Sequence, residues 1–210
     1  MLGGGMKKIC KRLSSKKIEL GQMRALEIFA RDGSWQTAAY ADKVASLVAW
    51  EINSIFENDL RNNLPNAKIK ITDSIKELDN QQNFSKFDLI VIDNGQNCYG
   101  NEREYCEHFD VIPKIAKLLD HKGVLIFNIN KKPFNFTNYP DWNKRRLEFY
   151  NKKNTAELDL DWLLEFYNDL FFKFGYKTNF SFSVSREDFE HADYLHYLIF
   201  HLEKINNENN

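Results

Sequence analysis

Apolar and polar positions along this chain follow two rhythms, one of strands and one of helices. Four short apolar runs end on an acid: Ala25-Leu26-Glu27, Leu47-Val48-Ala49-Trp50-Glu51, Ile69-Lys70-Ile71-Thr72-Asp73 and Leu89-Ile90-Val91-Ile92-Asp93. The acids stand 24, 22 and 20 residues apart, and each gap holds a helix-like stretch. This spacing predicts parallel strands with crossover helices, because one strand and its return take a few tens of residues. Ligands of such sheets bind beyond the carboxyl ends of the strands. The four acids therefore share an edge where a nucleoside's hydroxyls and amine can be held.

The pattern predicts strands over 23–30, 45–52, 68–72, 87–92 and 124–129. A small-residue helix is expected over 37–43. The next is capped by Asn53 or Ser54, with Glu57 at capping-box spacing from Ser54, and ends near Pro65. A short helix starts at Ser74, and another runs over 102–119, with Gly123 as its left-handed cap. Over 156–174, Leu160, Leu163, Leu164, Tyr167, Leu170 and Phe171 recur at helical spacing. Strands at 177–185 and 194–202 leave only 186–193 between them. No crossover helix fits there, so the two pair antiparallel.

Residues 1–22 read as a basic, polar leader, with Met6 as a natural start after Met1–Gly5. Residues 23–204 read as one domain with an insert at 131–153, and 205–210 as a frayed tail. A hydrophobic content of 43% and a charged content of 28% fit a soluble globular domain. No apolar run is long enough to span a bilayer, and no secretory signal pattern is evident. Cys10, Cys98 and Cys106 form no CxxC pair, which points to a reduced, cytoplasmic protein. The net charge of −1 conceals two basic clusters. Residues 7–24 carry seven basic side chains against Glu19, and 131–153 carry seven against Asp141 and Glu148.

Five strands with crossovers, one more helix and an antiparallel pair resemble the class I S-adenosylmethionine-dependent methyltransferases over residues 23–203. The resemblance implies an α/β, seven-stranded Rossmann-like sheet with its last strand antiparallel and helices on both faces. It implies S-adenosylmethionine as cofactor and methyl transfer as the reaction. Glu27-Ile28-Phe29-Ala30-Arg31-Asp32-Gly33 looks like the Phe-Ala-Gly-x-Gly variant of the family's cofactor loop. Gly33 is retained, and Arg31 stands where the first glycine would be. By the same resemblance, Glu51 binds both ribose hydroxyls and Ile52 packs on the adenine. Asp73 and Ser74 lie beside the adenine amine. Asp93 orients the cofactor's amino group or acts as a general base.

The Asp/Asn-Pro-Pro-Tyr/Phe motif of amine-methylating enzymes is absent, and no G-x-G-x-x-G suits a nicotinamide dehydrogenase. No metal site is expected. The fifth strand ends in Asn128-Ile129-Asn130, and Cys98, Cys106 and His108 match no zinc spacing. The insert, with aromatics between cations, reads as a lid over the acceptor, the alternative being a nucleic-acid clamp. The methyl acceptor expected is a small molecule or glycan, with a nucleic acid the less favoured reading and no membrane partner. Arg31 keeps a non-catalytic binding protein of the same fold as the alternative, and the oligomeric state is not indicated.

Overall fold

The computed structural model describes residues 3–80, 86–93, 98–99, 105–130, 140–151, 159–186 and 195–205. One seven-stranded sheet is built from β1 (Arg24–Ile28), β2 (Ser46–Glu51), β3 (Lys68–Ile71), β4 (Phe87–Ile92), β5 (Leu119–Asn130), β6 (Tyr176–Ser185) and β7 (Leu195–Lys204). The spatial order is β3-β2-β1-β4-β5-β7-β6. The first five strands are parallel, and β7 runs antiparallel to both β5 and β6. From β1 the chain moves outward to β3, then resumes on the other side at β4. That switch leaves a crevice beyond the carboxyl ends of β1 and β4. The continuous apolar run of β4 is matched by near-complete burial, as expected for a strand covered on both faces.

The helices are α1 (Gly4–Ser15), α2 (Glu57–Asn63), α3 (Ser74–Asp79), α4 (Glu107–Ile115), α5 (Pro140–Tyr150) and α6 (Leu160–Lys173). α1 and α2 contribute to one core cluster through Met6, Ile9, Leu13 and Leu60. α3 to α6 contribute to the other through Ile75, Ile112, Tyr150, Leu163, Tyr167 and Phe171. Asn53 caps the turn before α2, its Oδ1 accepting from Ile55 N at 3.1 Å.

Four expectations are corrected. The leader is a helix: Met6, Ile9, Cys10 and Leu13, one stripe at i, i+3, i+4 and i+7, are buried in the core. Residues 37–43 form two single 3₁₀ turns, Thr37–Ala39 and Ala41–Lys43, instead of one helix. The insert, whose two prolines speak in the sequence against regular structure, is helical over residues 140–150, because Pro140 sits in the first turn, where its missing N–H is not needed. Residues 131–139 and 152–153, which complete the insert, lie outside the described residues, as do 156–158 and 206–210.

The fourth correction concerns Gly123, which does not cap a helix. It lies within β5, opposite Leu202 of β7. A Cβ there would stand 2.7 Å from the Asp88 carbonyl oxygen and 2.9 Å from Leu119 Cδ1. The β4–β5 register shifts beside this position, between Phe87 and Leu89. Glycine thus permits a close approach of two strands. Gly123→Ala is expected to destabilise the fold by roughly 1–3 kcal/mol through overpacking. Urea unfolding checks this, and an unchanged midpoint and slope would contradict it.

Candidate functional site

Beyond the carboxyl ends of β1, β2 and β4 lies a cavity of about 370 Å³, within the size range of ligand pockets. Glu27, Gly33, Glu51 and Asp93 all line it, together with Phe29, Arg31, Asp32, Trp35, Phe56 and Arg186. Ile52, Asp73 and Ser74 are not among its lining residues. Ile52 follows Glu51 directly and is 64% exposed. Asp73 caps α3, its Oδ1 accepting from Ile75 N at 3.0 Å and Lys76 N at 3.3 Å. Ser74 begins that helix and is buried.

Glu51 ends β2 and is held by backbone on both oxygens. Arg31 N donates to Oε2 at 2.7 Å and Asn53 N to Oε1 at 2.8 Å. The loop that delivers Arg31 is tight: Ala30 N donates to Trp50 O and Gly33 N to Ala30 O. Phe29, Arg31 and Gly33 have φ of 64°, 51° and 70°. For Phe29 and Arg31 this left-handed backbone costs about 1–3 kcal/mol each. The conformation that glycine adopts freely is therefore kept at Arg31 without glycine. Its side chain is exposed and its guanidinium lies over the Phe56 ring, 5.7 Å from the centroid. At Gly33 a Cβ would meet Leu64 at 2.7 Å, so only glycine fits.

Glu27 is only 1% exposed. Thr37 Oγ1 donates to its Oε1 at 2.8 Å and Tyr40 OH to its Oε2 at 2.5 Å. Burial, reinforced by the nearby Asp93, pushes its pKa up to about 8, against the lowering effect of those hydrogen bonds. The same burial, with Glu27 beside it, raises Tyr40 well above a normal phenol.

Asp93, at the end of β4, is the meeting point of three other elements. Its Oδ1 accepts from Tyr197 OH of β7 at 2.5 Å and from Asn128 Nδ2 of β5 at 3.3 Å, and pairs with Arg186 at 3.0 Å. An oxygen committed to three donors suits an orienting group better than a base that must reach an acceptor. Arg186, Tyr197, Tyr40 and Thr37 were missed from the sequence. Only the place of Arg186, first in the short link after β6, could have suggested it.

Among the described residues no cluster of His, Cys, Asp or Glu is placed to hold a metal, and no helix is long and apolar enough to cross a membrane.

The sheet order, the antiparallel last strand and the placement of the cavity define the class I S-adenosylmethionine-dependent methyltransferase fold. Solved structures superpose accordingly. The N-methyltransferase NodS of Bradyrhizobium japonicum matches with a TM-score of 0.56 and 12% identity, over 97% of this chain and 100% of that one. The magnesium protoporphyrin IX methyltransferase of Synechocystis, solved with bound SAH, gives 0.57 and 13%, over 93% of this chain and 80% of that one. TYW2 of M. jannaschii, in complex with AdoMet, gives 0.54 and 16%, over 98% and 78%. No family model and no curated protein sequence matches the chain.

Proposed function

We propose that this chain binds S-adenosylmethionine in the cavity beyond β1, β2 and β4 and directs its methyl group to a nucleophile on an acceptor. The observation that carries this reading is Glu51. Each of its oxygens has two acceptor sites, and the backbone of Arg31 and Asn53 occupies one on each. One site per oxygen remains for the two hydroxyls of a ribose. Three carboxylates, Asp32, Glu51 and Asp93, line the cavity beside Glu27, whose burial keeps it protonated, against two guanidiniums, Arg31 and Arg186, the latter already paired with Asp93. Such a lining suits a ligand with ammonium and sulfonium charges.

When bound, the cofactor supplies a methyl group on a sulfonium, a carbon that already carries its leaving group. The part left to the chain is position and orientation. Gly33 and the strained loop at Phe29 and Arg31 bring backbone close to the ligand. Tyr197, Arg186 and Asn128 fix Asp93 at the end of β4, so its carboxylate serves to orient a ligand and not to take a proton from an acceptor. A reduced, cytoplasmic setting accords with Cys10 as a buried free thiol.

Isothermal calorimetry with S-adenosylmethionine and with S-adenosylhomocysteine tests the reading. The expected result is one site per chain, with a dissociation constant in the micromolar range, about −8 kcal/mol. No heat and no thermal shift at millimolar ligand would remove the proposal.

A further inference from the structure

We propose that α1 and the groove beside it form a docking surface for a single nucleic-acid strand. The corollary that the methyl acceptor belongs to that strand rests on the methyl-transfer reading. The docking itself does not.

α1 turns every apolar side chain inward. Met6, Ile9, Cys10 and Leu13 are buried, so what faces solvent is mainly cationic: Lys7, Lys8, Lys11 and Arg12 on the helix, and Lys16 and Lys17 just after it, are all exposed. No acid occurs from Gly3 to Ile18. Lys7 and Lys11 lie one turn apart, as do Lys8, Arg12 and Lys16, which sets cations about 6 Å apart along two rows. A periodic row of positive charge matches a ligand with periodic negative charge, and a phosphodiester backbone is one.

Two of these cations are already ordered. Arg12 sits over the Phe182 ring at 4.2 Å and donates to Ser183 O, and Lys16 sits over Phe180 at 4.6 Å. Less side-chain freedom remains to be lost when a phosphate is bound. On the other flank, a groove of about 370 Å³ is lined by Lys7, Lys11 and Lys43, with the Ser14 hydroxyl and one acid, Glu19.

The top of α1 abuts the wall of the candidate site. Met6 N donates to Gln36 Oε1 at 3.2 Å, and a Cβ on Gly3 would stand 2.9 Å from Trp35 O. Gln36 and Trp35 both line the cavity. A strand laid along α1 therefore ends at the cavity rim, where Trp35, 36% exposed, offers a ring for a base to stack on. A membrane surface is a poorer partner, because the exposed face of α1 has no apolar residue to insert. The net charge of −1 is a sum over the whole chain and does not describe this face. Among the described residues of the second basic cluster, Arg146 is buried in α5 and Lys144 faces Glu148 at 4.0 Å.

The test is fluorescence anisotropy of the full chain with a labelled single-stranded RNA of about 12 nucleotides, from about 50 to 200 mM salt. We expect micromolar binding at the low end and a log–log salt slope of about −3, as for four phosphates neutralised on a single strand. Lys7→Glu with Lys11→Glu should weaken binding at least tenfold with an unchanged melting temperature, since both side chains are exposed. Lys117→Glu with Lys173→Glu, the same charge change elsewhere on the surface, should have little effect. The proposal is overturned by absent binding at low salt, by equal losses from both pairs, or by binding to phosphatidylserine vesicles and not to RNA. Calorimetry with S-adenosylmethionine on the same samples separates the readings. RNA binding without cofactor binding keeps the docking surface and removes the methyl-transfer reading, and the reverse result removes the docking surface alone.

Discussion

Glu27→Gln is expected to stabilise the protein above pH 8 and to leave its stability near pH 4 unchanged. Burial holds the Glu27 carboxyl at about 8, from an ordinary 4.5, with Asp93 adding to the rise. The folded chain therefore keeps a proton that the unfolded chain releases. Stability from this group is fully present below about 4.5, declines as pH rises, and is lost above about 8. At about 1.4 kcal/mol per pH unit, the ionised form carries a penalty of about 5 kcal/mol. Glutamine keeps the shape, still accepts from Thr37 and cannot ionise, and the Tyr40 hydroxyl can rotate to accept from its amide. Thermal melts of parent and variant at pH 4, 6 and 9 should diverge progressively, by about 2–4 °C for each kcal/mol recovered. Parallel curves would refute the assignment. Other carboxyls act in a lower window. Asp88 beside Arg24, Asp120 under the His121 N–H and Glu77 beside Lys70 are lowered, and Glu203, hydrogen-bonded by Asn179, is held at about 2. What they contribute is lost only as pH falls through the acid range.

Glu51→Ala is expected to weaken S-adenosylmethionine binding by roughly 2–4 kcal/mol, through two charge-assisted hydrogen bonds at ~1.5–3 each with partial replacement by water. The structure adds a second loss, since Arg31 N and Asn53 N also give up their acceptor. Glu51→Gln should show most of the same effect, because its amide NH₂ would face a backbone N–H where an acceptor is needed. Both variants should fold, as the freed N–H groups lie near the cavity and can turn to water. Calorimetry decides: an affinity equal to that of the parent would remove Glu51 from the site.

Much of this was legible before the structure. The acids at the ends of β1, β2 and β4 follow from local apolar runs, and the antiparallel pairing of β6 and β7 from a link too short for a helix. α1 did not read as a helix, although Met6, Ile9, Cys10 and Leu13 form a regular stripe. Four cations interleaved with that stripe, and two more just after it, hid it behind an average polarity. Gly123 misled for a different reason. A glycine after a predicted helix suits a left-handed cap, yet what this one relieves is a clash with Asp88, 35 residues away in sequence and adjacent only across β4 and β5.

The sequence by itself determined the strand rhythm, the sheet's parallel and antiparallel halves, and the end of the sheet at which Glu27, Glu51 and Asp93 gather. Those depend on residues a few positions apart, where side-chain periodicity is set by backbone geometry alone. The tertiary structure decided what the carboxylates do. Tyr197 reaches Asp93 across 104 positions, and Thr37 and Tyr40 close over Glu27 only because the 37–43 segment forms two tight turns in place of a helix. Such partners meet because β4, β5 and β7 are neighbours in space and not in sequence. Burial, which gives those hydrogen bonds their weight, belongs to the packed sheet and to no local stretch of the chain.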